Sequence, residues 1–134
     1  QCIKYLNRMY YKTLFALLLV MSFDFWGQEY EIKSEYVEID TKSNQVVYEG
    51  DVQFSSDQIS FSSSKLVVDQ KQKKFIAEGN PINISYIADG QEVFGNAKEL
   101  ELYENILYLS NNVQLVTNDN KIVSDSIVIK LKND

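Results

Sequence analysis

The chain has 134 residues, no histidine and one cysteine, and its 13 lysines and arginines face 19 carboxylates for a net charge of -6. One modest core is all that this length sustains, and the missing histidine removes Ser-His, Cys-His and His-metal chemistry together. A chain this acidic is also a poor nucleic-acid binder, because phosphate neutralisation supplies most of that affinity.

Residues 1–27 read as a leader. Lys4, Arg8 and Lys12 precede the apolar stretch 14–21 and a polar break at Asp24, the order of a secretory signal peptide; a spanning helix needs about 20 apolar residues. Met9 is the natural start, with the eight residues before it an extension. Cleavage is expected near Gly27 or Ser22, with a retained single-pass anchor as the alternative. Either way residues 29–134 form the exported domain, where ten lysines and no arginine face 18 carboxylates. Cys2 lies upstream of the apolar stretch, the wrong place for a lipoprotein cysteine, and a lone cysteine makes no intrachain disulfide. The fold must stand on packing and ladder hydrogen bonds.

Past the leader, apolar alternation sets in. Val37 and Ile39 form a short strand followed by a polar turn at 41–45, and a longer strand then runs Val46-Val47-Tyr48-Glu49-Gly50-Asp51-Val52 to Phe54. Ile59 and Phe61 continue the apolar series, and Leu66 and Val68 lead into the polar stretch 70–74. The motif returns as Phe75-Ile76-Ala77-Glu78-Gly79-Asn80-Pro81, 29 residues after the first. Pro81 lacks a ladder donor and marks a bend; beyond it the apolar phase moves by one, to Ile82, Ile84 and Tyr86. Asp89-Gly90 reads as a hairpin turn, followed by Val93-Phe94 and a Gly95-Asn96 interruption. Leu100 and Leu102 precede the third motif, Leu107-Tyr108-Leu109-Ser110-Asn111-Asn112-Val113, 32 residues after the second, which extends to Leu115. A turn at 118–120 leads to Ile122-Val123, and Ile127-Val128-Ile129 opens a fourth unit. Units recurring at this period cannot bury their apolar faces alone, so they stack and share one core. The class is all-β, and a solenoid, a curled sandwich and a jelly roll all fit.

Period-two alternation puts Val46, Tyr48, Gly50, Val52 and Phe54 on one face, with Phe75, Ala77 and Gly79, and Leu107, Leu109, Val113 and Leu115, as their equivalents. Two readings follow: a self-filled core, or an apolar groove that takes acyl chains. The strand carboxylates Glu49, Asp51, Glu78, Glu99 and Glu101 alternate outward and read as a solvated face. Gly50 and Gly79 are bulge positions rather than a phosphate loop, and no calcium-loop spacing is present. Lys71, Lys73 and Lys74 form a basic cluster in a turn; it reads as solvated, with anionic lipid headgroups as the second reading. No catalytic residue, metal or cofactor is expected.

Four segments in this order carry a resemblance: 46–52, the run Ile59-Ser60-Phe61-Ser62-Ser63-Ser64-Lys65-Leu66-Val67-Val68, then Ala77-Glu78-Gly79-Asn80-Pro81, and Phe94-Gly95-Asn96-Ala97-Lys98-Glu99-Leu100. The chain is similar over about residues 34–131 to the OstA-like (LptA) family of periplasmic lipopolysaccharide transport proteins. It departs in having Ser63 and Ser64 where that family has Ala-Asp, and in an exported part short for the family, which reads as C-terminally short. The resemblance implies a curled, semi-open antiparallel β-jelly roll of two facing sheets. Its apolar interior would receive lipid A acyl chains through Val37, Ile39, Val46, Tyr48, Val52, Phe54, Ile59, Phe61, Leu66, Val68, Phe75, Ile82, Ile84, Leu100, Leu102, Leu107, Leu109, Val113 and Leu115. It further implies head-to-tail joining through edge strands at Tyr36, Val37, Glu38 and Ile39 and at Ile127, Val128 and Ile129. The partners would be further copies, an inner-membrane LptC-like transporter component and an outer-membrane LptD-like translocon. A membrane-anchored LptC-like module and a structural or partner-binding β-module without lipid are the alternatives.

Overall fold

Alternating apolar runs broken by short polar turns become strands throughout the computed structural model, which describes residues 30–131. The expected leader, 1–27, lies outside the described residues. The strands are β1 (Tyr30–Lys33), β2 (Tyr36–Asp40), β3 (Gln45–Ser56), β4 (Ile59–Asp69), β5 (Lys74–Ala88), β6 (Gln91–Tyr103), β7 (Ile106–Val116) and β8 (Lys121–Lys130). All pairings are antiparallel, and from β3 onward each strand pairs with its successor. The two short strands β1 and β2 share β3 as partner: β1 lies along its residues 53–56 and β2 along 45–49. At the break between them, the Glu35 N–H donates to the Gly50 carbonyl at 3.0 Å. Nothing pairs β8 with β1 or β2, so the sheet stays open.

Each long strand bends once, near its middle. The register shifts between Glu49 and Val52 on β3, between Ser62 and Lys65 on β4, between Glu78 and Ile82 on β5, between Asn96 and Glu99 on β6, and between Ser110 and Val113 on β7. A bulge adds residues on one strand and bends it. At these places Gly50 and Asp51 have φ of 86° and 48°, and Asn111 and Asn112 have 68° and 60°, the left-handed region that Gly and Asn tolerate best. Because the bulges lie beside one another across the ladder, the whole sheet folds along a single seam. One layer then holds β2 with residues 45–49, 65–69, 74–78, 99–103, 106–110 and 126–130; the other holds β1 with 52–56, 59–63, 82–88, 91–97, 113–116 and 121–124.

Ring contacts show that the layers face each other. Phe75 of the first layer meets Tyr30 and Phe54 of the second edge-on, each with centroids 5.2 Å apart, although β1 and β5 are not ladder neighbours. Val52, Leu66, Phe75, Ile82, Leu107 and Val113 have no exposed surface at all. With no helix among the described residues, the sheet reaches such burial only by covering its own inner face. This is a two-layer antiparallel β-jelly roll made from one folded, unclosed sheet.

Two details depart from the sequence reading. A strand precedes the expected first one, because Tyr30 and Ile32 alternate inward with Glu31 and Lys33 outward. Gly95-Asn96 does not interrupt β6; Gly95 is an inner-face position where a Cβ would stand 2.7 Å from the Gln114 carbonyl oxygen, so only glycine lets the backbones approach. Ser63 and Ser64 are seam residues whose hydroxyls donate to the Lys65 and Glu78 carbonyls at 3.2 and 3.1 Å. They partner backbone groups where the strand bends.

Candidate functional site: the apolar interior and its two open edges

The candidate interior is built by strand parity. Directly paired residues on adjacent strands project from the same face, so Val46, Val68, Phe75, Leu102 and Leu107 form one transverse row and Tyr48, Leu66, Ala77, Leu100 and Leu109 the next. In the second layer Phe54, Phe61 and Ile84 align, as do Ile82 with Ala97 and Gly95 with Leu115. Seventeen of the nineteen residues expected inside are buried in one continuous cluster. Val37 is the eighteenth, and it is half-buried against that cluster.

Ile39 is the correction. It pairs with Val46 and so projects from the inner face, yet it is 61 % exposed, because among the described residues no strand lies beyond β2 to cover it. Ile122, opposite Leu115, is likewise 51 % exposed at the other edge. Ile127, Ile129 and Leu131 are partly buried there. The inner face therefore continues to both edges of the ladder, closed in the middle and uncovered at each end. The expected edge residues, Tyr36 to Ile39 on β2 and Ile127 to Ile129 on β8, lie on these two terminal strands.

Alternation also missed contributors. Tyr30 and Ile32 of β1, Val93 and Ala97 complete the core, and the Tyr30-Glu31-Ile32-Lys33 pattern was the available signal. Tyr30 stacks on Phe54 at 5.5 Å, and Phe54 on Phe61 at 4.8 Å, so with Phe75 four rings gather between the layers. Burial holds the Tyr30 and Tyr48 phenols neutral, pushing both well above the ordinary tyrosine range, and Tyr86 shifts the same way. Among the described residues nothing charged enters this cluster, and Ser63 is its one buried polar neighbour.

Turns at the strand ends make two rims. Turns 41–44, 70–73 and 104–105 end the first layer, and turns 57–58, 89–90 and 117–120 end the second. Phe75 lies one residue from the first rim and meets Tyr30, at the second. The rims thus come together through the aromatic group. Two surface depressions lie apart from this interior: one of about 290 Å³ on the outside of the first layer near Val67, Ile76 and Tyr108, and one of about 350 Å³ at the seam beside Asp51, Ser64 and Pro81.

Comparison with known proteins gives a consistent picture. The family described as LptA/(LptD N-terminal domain) LPS transport protein matches residues 31–134. No curated protein sequence matches the chain. Among solved structures, the fold is similar to that of LptH from Pseudomonas aeruginosa, described as the LptA homologous periplasmic component of the conserved lipopolysaccharide transport device; the TM-score is 0.70 at 16 % identity, over 77 % of this chain and 76 % of that one.

Proposed function

We propose, from the premise that this chain belongs to the LptA/(LptD N-terminal domain) family of lipopolysaccharide transport proteins, that it is a non-enzymatic periplasmic module which takes lipopolysaccharide acyl chains between its two layers. The observation carrying this reading is the apolar inner face that runs unbroken from Ile39 at one edge to Ile122 at the other without closing into a barrel. Acyl chains have no directional needs, so a row of aliphatic and aromatic side chains free of charge suits them.

In the closed state the interior is packed, so entry requires the layers to part. Each separated aromatic pair costs about 0.5–1.5 kcal/mol beyond its area, while each methylene buried contributes about 0.8 kcal/mol. A handful of methylenes offsets the separation. The unpaired sides of β2 and β8 expose main-chain donors and acceptors that accept a further strand, and because the two edges differ, such a contact is head-to-tail and propagates. In this reading the modules, an LptC-like partner and an LptD-like partner form a bridge along which the inner faces join. Movement along it is driven by a partner.

Photocrosslinking tests this. A photoreactive side chain at Phe54 or Leu109, both buried, should label lipopolysaccharide, whereas one at outward-facing Gln53 should not. Labelling from Gln53 alone would overturn the proposal. The packed interior favours one other reading, a β-module that holds no lipid; for that, organic extraction of the purified protein returns no acyl chains.

A further inference from the structure

The two turns that begin the first rim are copies of one device. In turn 41–44 the Asp40 carboxylate accepts the N–H groups of Lys42 and Ser43, at 3.0 and 3.4 Å; in turn 70–73 the Asp69 carboxylate accepts those of Lys71 and Gln72, both at 3.0 Å. The fourth residue is left-handed in each, Asn44 and Lys73 both having φ of 59°. Lysine occupies the second turn position in both, as Lys42 and Lys71. The Gln70 N–H donates to the Asn44 carbonyl at 2.9 Å, locking the two turns side by side, about 10 Å apart if two inter-strand spacings separate them.

The charges around them are unequally engaged. Asp40 and Asp69 are turned inward onto the backbone, and Lys74 pairs with Glu101 at 3.5 Å and lies 5.5 Å from the Tyr103 ring. No ion pair among the described residues engages Lys42, Lys71 or Lys73, and all three are exposed. Glu104, in the third turn, bounds the group on one side. The opposing rim is the reverse: its turns carry Asp57, Asp89 and Asp119 and no lysine. An anion approaching the place where the rims meet is repelled by the second rim, while at the first the three exposed ammonium groups, on stems that reach past the backbone-held Asp40 and Asp69 carboxylates, are the groups it can meet.

We propose that the paired turns 41–44 and 70–73 form a binding site for a phosphate ester, with Lys42, Lys71 and Lys73 as its cations. Ammonium groups on flexible stems bind phosphate as point charges and converge on an anion between them. The site adjoins Phe75, where the layers meet. This inference rests on the lipid-carrier reading in one respect only: an amphiphile with its acyl chains between the layers would place a headgroup phosphate here. A free phosphate would use the same groups.

The test uses the full chain and a triple variant, Lys42→Gln, Lys71→Gln and Lys73→Asn, the last retaining a residue that tolerates the left-handed conformation as Asn44 does. All three positions are exposed turn residues, so the urea midpoint should not move. Binding is measured for lipid A bearing its phosphates and for dephosphorylated lipid A, at low and high salt. The wild type should prefer the phosphorylated lipid and the variant should lose roughly tenfold for that lipid alone, with the difference shrinking at high salt. Equal binding of both lipids by wild type and variant overturns the site while leaving the carrier reading intact. If neither lipid binds, the carrier reading falls, and titration with inorganic phosphate decides the site separately. Amide shifts confined to 40–44 and 69–74 then support it, and their absence overturns it.

Discussion

Replacing Phe75 by alanine asks whether the layers are packed together or merely adjacent. Phe75 has no exposed surface and meets Tyr30 and Phe54 edge-on at 5.2 Å. Loss of a fully buried ring with incomplete collapse of the space costs about 3–5 kcal/mol, of which roughly 1 kcal/mol or more belongs to the two ring contacts. A domain of this size is stable by about 5–15 kcal/mol, so Phe75→Ala should remain folded but weakened. With a urea dependence of about 2 kcal/mol per molar, the unfolding midpoint followed by far-ultraviolet circular dichroism should fall by about 2 M. Phe75→Leu keeps most of the volume and should cost about 1.5 kcal/mol or less. A midpoint shift below about 0.5 M for Phe75→Ala would refute the packing argument, because the ring would then face space rather than neighbours.

Gly50→Ala puts a Cβ where φ is 86°, 2.5 Å from the Glu35 carboxylate, whose tip can swing away, and 2.9 Å from the Glu35 Cβ, which cannot; urea unfolding should show a loss greater than the about 1–2 kcal/mol of the left-handed backbone alone. Asp40 is held below its ordinary value of 3.8 by the Lys42 and Ser43 N–H groups. Its contribution to stability is therefore complete above the ordinary aspartate range and lost as pH falls through and below it; Asp40→Ala should flatten that part of the pH–stability profile, and nuclear magnetic resonance titration should find the carboxyl below 3.8. Tyr48 is held above its ordinary value of 10.0 by burial. Folding is then undiminished below pH 10 and undermined as pH rises beyond it, and absorbance titration should show this phenol ionising only with unfolding. Ionisation of Tyr48 in the folded protein at its ordinary value would contradict its burial.

The inner face was legible because alternation is a local property. Val46 with Tyr48, Phe75 with Ala77 and Leu107 with Leu109 declare their side without knowledge of any partner strand. The phase change at Pro81 was legible for the same reason, since Ile82, Ile84 and Tyr86 resume on odd spacing. That every one of these strands is interrupted at a matching place was not: β4 and β6 change phase there as β5 does, whereas β3 keeps Val46, Tyr48, Val52 and Phe54 in one phase and β7 keeps Leu107, Leu109, Val113 and Leu115 in one. On β4 the change hides in the serine run 62–64 and on β6 in Asn96-Ala97-Lys98, where no glycine or proline marks it. The two-layer arrangement arises from alignment of these bends across strands, a non-local fact. Ile39 looked interior because its parity is right; its exposure follows from having no neighbour on one side, which parity does not encode. The twin turns were visible only as a lysine-rich loop, since the bond from Gln70 to Asn44 joins residues 26 apart in sequence.

Because every long strand crosses the seam, neither layer exists without the other, and this governs how the protein responds to force. A pull on the end of β8 loads a strand that belongs to both layers and is held by β7 alone. Peeling it strips one row from each layer together and leaves β7 as the new border, with its inner residues Leu107 and Leu115 newly open at one side. The molecule should therefore yield in strand-sized steps from its ends while resisting a pull directed across the seam, where several ladders must shear at once. Resistance of that directional kind suits an element held under tension between two fixed attachments.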